Sequence, residues 1–365
     1  MSDTQNMLVT TSPQIHKPDS TAKIMWSVVI CLLPAGIWGV YVFGVQALYT
    51  MIFSIAAALA AEYVMGRVFG RFTLDDGSAF LTGLLIGYNM PPVIPFYIPV
   101  IASVFAIVVV KWTFGGLGAN WMNPALAGRV FVFFSWTGAM NNWQFPSTMN
   151  AATDAVSGAS VLGHIKAGLI DYSGPARGPA EFLSLGGYPR SSLDVSVINR
   201  LNTNLGFNLE GGYIDLFFGN IPGCIGEISA FLLLLGTIYL FAKKIITWHI
   251  PVSYLVTFGL FTWIFAGLRF NGGFFSGDIL FHLFAGGLIL GVFYMATDMV
   301  TSPLTAKGMI IFGIGAGFLT FLIRFFGSFP EGVSLAIIFM NIFVPMINRY
   351  TGPKRFGIEE KGQQA

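Results

Sequence analysis

The sequence predicts an all-α, polytopic membrane protein of about ten transmembrane helices, and three observations predict it. Of the 365 residues, 55% are apolar or aromatic and only 10% are charged, against roughly 25% charged in soluble domains. Near-uninterrupted apolar runs of spanning length recur along the chain. Lysine and arginine gather on one side of the arrangement those runs imply. So few charges cannot cover a water-soluble surface of this size, which excludes a soluble enzyme and a disordered chain. The net charge of +2 carries no message about nucleic acid, and none is expected as a partner; membrane lipid is. Cys31 and Cys224 both lie in apolar settings, which excludes a disulfide framework or a cysteine-ligated cluster within the chain.

In order, the chain opens with a polar segment, 1–23, holding Pro13, His16, Lys17 and Asp19. No signal peptide is evident, and the first apolar run is long enough to stay as an anchor. The runs 24–44, 46–65, 93–113, 250–268, 278–297, 306–326 and 331–348 reach spanning length. Three further runs are flawed. The run 79–90 is short and ends at Met90-Pro91-Pro92, and 122–140 opens with Asn123-Pro124 and carries Arg129. The run 225–242 follows the entry Gly219-Asn220-Ile221-Pro222-Gly223. The chain therefore divides into a first five-helix half, 24–140, a long loop, 141–224, a second five-helix half, 225–348, and a tail, 349–365.

With both termini cytoplasmic, Lys17, Lys23, Arg67, Arg71, Lys111, Lys243, Lys244, Lys307, Arg349, Lys354, Arg355 and Lys361 lie inside. Lys166, Arg177, Arg190, Arg200, Arg269 and Arg324 lie outside. That bias is expected of a correctly oriented protein of the cytoplasmic (inner) membrane, although long exported loops weigh little in the rule. The external loop is rich in Ser, Asn, Gly and Pro. Loops beyond about 15 residues are usually functional or disordered.

The halves echo each other. Thr82-Gly83-Leu84-Leu85-Ile86-Gly87 runs into Met90-Pro91-Pro92, and Ala285-Gly286-Gly287-Leu288-Ile289-Leu290-Gly291 runs into Thr297-Asp298 and Ser302-Pro303. Met122-Asn123-Pro124 is matched by Met340-Asn341 with Pro345. An odd number of spans per half would turn the second unit upside down. Such inverted repeats place binding sites where Gly/Pro-interrupted segments meet; chance similarity among Gly-rich helices accounts for the echo equally well.

The loop contains Asp154-Ala155-Val156-Ser157-Gly158-Ala159-Ser160. This resembles the sequence Asp-(Gly/Ala)-x-(Ser/Thr)-(Gly/Ser)-Ala-(Thr/Ser) read by a flavin transferase, which joins the phosphate of FMN to the last hydroxyl as a phosphoester. The residues suit the chemistry. Ser160 supplies an alcohol, Gly158 and Ala159 leave room for a bulky ring, and glycine gives backbone freedom. The acceptor segment is expected to be flexible and exposed. Ser160 stands where Thr is usual, and a primary alcohol is competent and less hindered. An ordinary Ser/Gly turn is the structural alternative.

Further blocks carry the same resemblance in order: Ser12-Pro13-Gln14-Ile15-His16, Gly115-Gly116-Leu117-Gly118-Ala119-Asn120, Gly226-Glu227-Ile228-Ser229-Ala230, Thr297-Asp298-Met299-Val300 and Pro330-Glu331-Gly332-Val333. Together they resemble the RnfD/NqrB family of membrane subunits, on the side of the Rnf complex. The resemblance implies an electron-transfer subunit working with other Rnf subunits (A, B, C, E and G). That complex moves electrons between reduced ferredoxin and NAD and couples them to Na+ or H+ translocation. The resemblance also implies covalent FMN at Ser160, within the attachment motif of Asp154, Ser157, Gly158 and Ala159, and a flavin transferase during maturation. It further implies a non-covalent riboflavin in the membrane part, which no single motif places. The glycines of 115–120 serve either approach of backbone to a ring or close helix packing, the commoner use in membranes.

Ionisable groups inside spans are costly and are functional candidates by default. Arg129 either faces a flavin phosphate or reduced ring, or snorkels to the cytoplasmic interface. Glu227 stands at the start of the sixth span, where a helix N-terminus favours a carboxylate. Asp298 either helps bind a cation or holds a broken helix end, while Asp278 and Glu62 read as boundary markers. His164, His249 and His282 lack metal-ligand spacing, so neither a metal site nor a haem pair is expected. Without a dinucleotide fingerprint NAD must bind elsewhere, and no catalytic residue is assigned. Two other readings stand beside the electron carrier: a secondary transporter or channel with inverted repeats, and a scaffold subunit of the same complex that carries no electron.

Overall fold

The structure is a computed structural model and describes residues 20–146, 159–168, 174, 176, 178–206, 211–270, 272–329 and 331–352. The first half holds α1 (Thr21–Phe43), α2 (Val45–Phe69), α3 (Ser78–Tyr88), α4 (Tyr97–Val104), which continues as a π-helix over Phe105–Trp112, α5 (Pro124–Ser135) and the single turn α6 (Thr137–Met140). Between the halves come α7 (Val161–Gly168), α8 (Pro179–Leu185), α9 (Ser192–Leu205) and α10 (Tyr213–Phe218). The second half holds α11 (Ala230–Ala242), α12 (His249–Phe265) with a 3-10 turn over Ala266–Phe270, α13 (Ile279–Phe284), α14 (Leu288–Leu290) running into a π-helix over Gly291–Met295, α15 (Ala306–Phe326) and α16 (Val333–Thr351). Among the described residues there is no β-strand. The protein is an all-α polytopic membrane protein.

α1, α2, α12 with its 3-10 turn, α15 and α16 are long and apolar enough to cross a membrane. At about 1.5 Å per residue, a helix of the length of α15 covers the roughly 30 Å of hydrocarbon. The other five expected spans are apolar but short or broken. The reasons are local. Trp136 leaves helical geometry (φ −130°, ψ 54°) and ends α5. Ser229 caps α11 by accepting from Leu232 N, so that helix begins at Ala230. The segment before it pairs with the end of α3 instead: Ile225 N donates to Met90 O at 3.1 Å and Gly226 N to Tyr88 O at 3.0 Å. In the eighth segment Ala285 turns extended (ψ 128°) and Gly286 adopts φ +73°, separating α13 from α14.

The long loop is folded in its described part. Ser191 caps α9, and the buried carboxylate of Asp215 accepts from Ser191 N at 2.8 Å. Asp194, also buried, accepts from Gly212 N at 2.7 Å and Ile214 N at 3.1 Å. Burial above all raises the Asp215 carboxyl from its usual range.

α12 packs on α15 and α15 on α16, while α2 packs on α3 and α4; contacts of α1 with α11 and of α5 with α16 join the halves. One device recurs. Tyr88, at the end of α3, donates to Leu32 O at 2.7 Å, and Tyr294 donates to Leu233 O at 2.8 Å. Gly36 and Gly236 make way for the two phenols, since a Cβ at either would collide with the hydroxyl. Large apolar side chains such as Ile30, Ile37, Val68, Ile238 and Val256 face outward, as lipid contact requires.

Candidate functional site

Asn123 caps α5, accepting from Ala125 N at 3.0 Å and Leu126 N at 3.3 Å, with Pro124 in the first turn. The helix so started carries Arg129 into the core. Its Nη1 donates to Asn89 Oδ1 at 2.9 Å and Ser334 Oγ at 2.8 Å; its Nη2 donates to Glu331 Oε2 at 2.8 Å and Cys224 Sγ at 3.7 Å. Both halves thus meet on one guanidinium. Of the two readings of Arg129, snorkelling is overturned: the head group is buried and its donors are engaged inside the protein. A buried cation persists only when paired and hydrogen-bonded in this way.

Glu331 leads on to Ser160. A cleft with about 290 Å³ of open space is lined by Ser160, Pro222, Gly223, Glu227, Gly286 and Glu331, among others. Ser160 Oγ accepts from Gly163 N at 3.1 Å, and Ser160 O accepts from His164 N, so this residue begins α7. Its side chain is 5% exposed, not the exposed acceptor expected from the sequence; the capping bond and the packed cleft hold it in. Ala159 O accepts from Tyr188 Oη at 3.3 Å. Asp154, Ser157 and Gly158 lie outside the described residues.

Glu227 is buried as well. Its Oε1 accepts weakly from Cys224 N at 3.4 Å, and its Oε2 has no hydrogen-bond partner. Gly287 lies against that oxygen, where a Cβ would collide with it. The cleft therefore offers a primary alcohol at a helix N-terminus, an unmatched carboxylate oxygen, and a second carboxylate held by Arg129.

Glu62 is no boundary marker. It is 1% exposed, ion-paired with Lys111 at 2.8 Å, and accepts from Trp112 Nε1 at 2.9 Å and from Thr73 Oγ1. The chain after α2 folds back over it, which distance from the end of an apolar run does not reveal. Asp278 caps α13, accepting from Phe281 N at 2.9 Å. Asp298 accepts from Thr301 Oγ1 at 2.9 Å and steadies the turn after the second π-helix, the helix-end role of its two readings.

A larger cleft, with about 820 Å³ of open space, lies between the halves and is lined by Lys111, Asn120, Asn123, Thr297 and Asp298 among others. Asn120 Oδ1 is buried there without a partner. Gly115, Gly116 and Gly118 have φ of +112°, +97° and +95°. A Cβ on Gly116 or Gly118 would meet nothing within 4 Å. These glycines therefore serve a left-handed loop and not close helix packing.

Sequence reasoning found Arg129, Ser160 and Glu227 but missed Glu331 and Asn89. The lone arginine of a span was the available signal, since it demands a carboxylate nearby. Among the described residues no group of His, Cys, Asp and Glu is arranged to hold a metal ion.

The sequence model of the NQR2, RnfD, RnfE family matches residues 8–357. The chain is 43% identical to the D subunit of the proton-translocating ferredoxin:NAD(+) oxidoreductase complex of Clostridium ljungdahlii, covering 96% of each chain. It is 38% identical to the D subunit of the Na(+)-translocating ferredoxin:NAD(+) oxidoreductase complex of Acetobacterium woodii, over 99% of this chain and 98% of that one. With the D subunit of the ion-translocating oxidoreductase complex of Stutzerimonas stutzeri it shares 35% identity over 94% of each.

Proposed function

The chain belongs to the NQR2, RnfD, RnfE family, and from that membership we propose that it is the D subunit of an ion-translocating ferredoxin:NAD+ oxidoreductase, bearing covalent FMN on Ser160. It works in the inner membrane with the other Rnf subunits, both termini cytoplasmic and loop 141–224 external. The observation that supports the flavin is the junction of Ser160, at the start of α7, with the unmatched Glu227 Oε2 in one cleft. A phosphoester on Ser160 Oγ would sit at a helix N-terminus, where backbone amides favour an anion. Glu227 Oε2 is an acceptor awaiting a donor, and a flavin carries an imide N–H and ribityl hydroxyls. The flavin, when bound, supplies one-electron and two-electron redox chemistry.

The protein's own residues do the rest. Arg129 is a positioning residue: it fixes Glu331 at the edge of the cleft and ties both halves to it. Gly286 and Gly287 keep that wall free of side chains, so that the carboxylates stand close to the cavity. Because burial sharpens every charge, a change of redox charge beside Glu227 and Glu331 is felt strongly there. Moving one elementary charge across the membrane works against roughly 2.3 kcal/mol per 100 mV.

Two features of the larger cleft support it as the place for riboflavin. Asn120 Oδ1 fits a ring imide, and Leu117, in the loop of Gly115, Gly116 and Gly118, lines the same cleft.

The test is direct. The chain expressed with its flavin transferase is expected to fluoresce in a denaturing gel, and the peptide containing Ser160 to gain the mass of FMN less water. Ser160→Ala is expected to be dark with the complex still assembled. A dark wild-type band would sink the covalent attachment. For the second flavin, Asn120→Leu should lower the flavin released by denaturation and leave the gel band unchanged.

A further inference from the structure

Where α7 meets the ends of α12, α13 and α15, a third cleft, with about 380 Å³ of open space, is lined by Lys166, Arg269, His282 and Arg324 together with Leu162 and Phe325. Three cations share this space. Arg324 and His282 are 5% and 2% exposed. Part of the arrangement is helix capping. Lys166 Nζ donates to Arg324 O at 3.2 Å and Phe329 O at 2.7 Å, and Arg324 Nη1 donates to His282 O at 2.6 Å. Cations are favoured at such carbonyl ends. Capping leaves a remainder, however. Arg324 Nε and Nη2 are buried without a hydrogen-bond partner, as are both ring nitrogens of His282. Arg324 forms no ion pair among the described residues; beyond its bond to His282 O, its guanidinium lies 5.0 Å from the centre of the Phe258 ring and feels Glu331 and Glu227 only at longer range.

Buried guanidinium donors left unmatched are costly, and the group that satisfies two parallel donors with neighbouring cations is an oxyanion. We propose that Lys166, Arg269, Arg324 and His282 form a binding site for a phosphate group. Arg324 Nε and Nη2 present the planar fork that phosphate oxygens match, Lys166 adds a point charge, and Arg269 stands exposed at the mouth. His282 offers a further ring N–H. The ester phosphate proposed on Ser160 is a different group: Ser160 and Lys166 lie at opposite ends of α7, about 9 Å apart along the helix. The phosphate can arrive on a phospholipid headgroup, since the lining residue Arg269 lies over the exposed Phe326 ring and follows the exposed Leu268, or as the free ion.

The full chain in dodecyl maltoside micelles, which hold no phosphate, would be titrated with phosphatidylglycerol and, separately, with inorganic phosphate at constant ionic strength, reading Kd from the rise in the unfolding midpoint. Saturable binding of the lipid alone assigns the headgroup; binding of inorganic phosphate assigns the free ion. Either Kd is expected to weaken about tenfold in Lys166→Gln and in Arg269→Gln, a half-buried and an exposed position whose replacement keeps the Arg324 side chain. Arg67→Gln, an exposed charge on α2, is expected to change nothing. Binding of neither probe, or equal weakening by Arg67→Gln, would overturn the site. Persistence of binding in Ser160→Ala keeps the result separate from any flavin on α7.

Discussion

Arg129 shows how one residue can join two halves of a membrane protein. Its removal leaves the largely covered Glu331 without its cation, and breaking a fully buried pair typically costs about 3–5 kcal/mol, an upper figure for this one. Arg129→Met is therefore expected to lower the unfolding midpoint of the detergent-solubilised chain sharply, and Arg129→Met with Glu331→Gln to recover part of the loss. Lys166 gives a pH signature. Burial, with Arg269 and Arg324 nearby, lowers its ammonium to about 8 from the ordinary 10.5. Between those values the unfolded chain binds more protons, so this lysine's contribution to stability rises with pH there and is lost as pH falls through about 8. The midpoint of wild type minus that of Lys166→Gln, followed from pH 7 to 10.5, should climb. Bound phosphate would favour the charged lysine, so its affinity should fall as pH rises past about 8. At this scale the sequence was partly legible. A charge inside an apolar run announces itself, as Arg129 did. Glu331 did not, because it stands in a turn before α16, and Glu62 misled, because its burial depends on a fold-back from Thr73 and on Lys111 far along the chain.

Among elements, apolar runs located the helices well, and capping residues explain where they stop. The helices of the loop were not legible: α9 is polar overall and is held by the buried carboxylates of Asp194 and Asp215, tertiary bonds that no local pattern encodes. Glycine was legible as interruption but not as socket. Gly236→Val would drive its branched side chain into the Tyr294 hydroxyl and the Cys31 carbonyl. Overpacking of this kind costs about 1–3 kcal/mol, and a lowered unfolding midpoint is the expected readout. Gly138→Ala, with nothing within 4 Å of the new methyl, should be silent.

For the molecule as a whole, the pairings of α1 with α11 and of α5 with α16, and the matched Tyr88 and Tyr294 bonds, support two halves of like design. Their proposed orientation is open to labelling. Cys31 and Cys224 are buried, so the wild-type background should be unreactive. If loop 141–224 is external as proposed, an impermeant maleimide applied to intact cells should label Leu185→Cys and reach Leu304→Cys only after permeabilisation. The reverse pattern would invert the topology. Deleting the chain from the complex should also abolish NAD reduction by reduced ferredoxin and the ion uptake coupled to it in inverted vesicles.

The interruption at Ala285-Gly286-Gly287 has a consequence for solvent. Backbone that leaves the helix at membrane depth cannot face lipid and persists only against protein or a wet cavity; here Glu227 and Glu331 stand across from it. Deuterium should therefore enter the amides of Gly286 and Gly287 early, while α12 and α15 on either side stay protected. An otherwise dry bundle would carry a moist seam beside the carboxylates of Glu227 and Glu331.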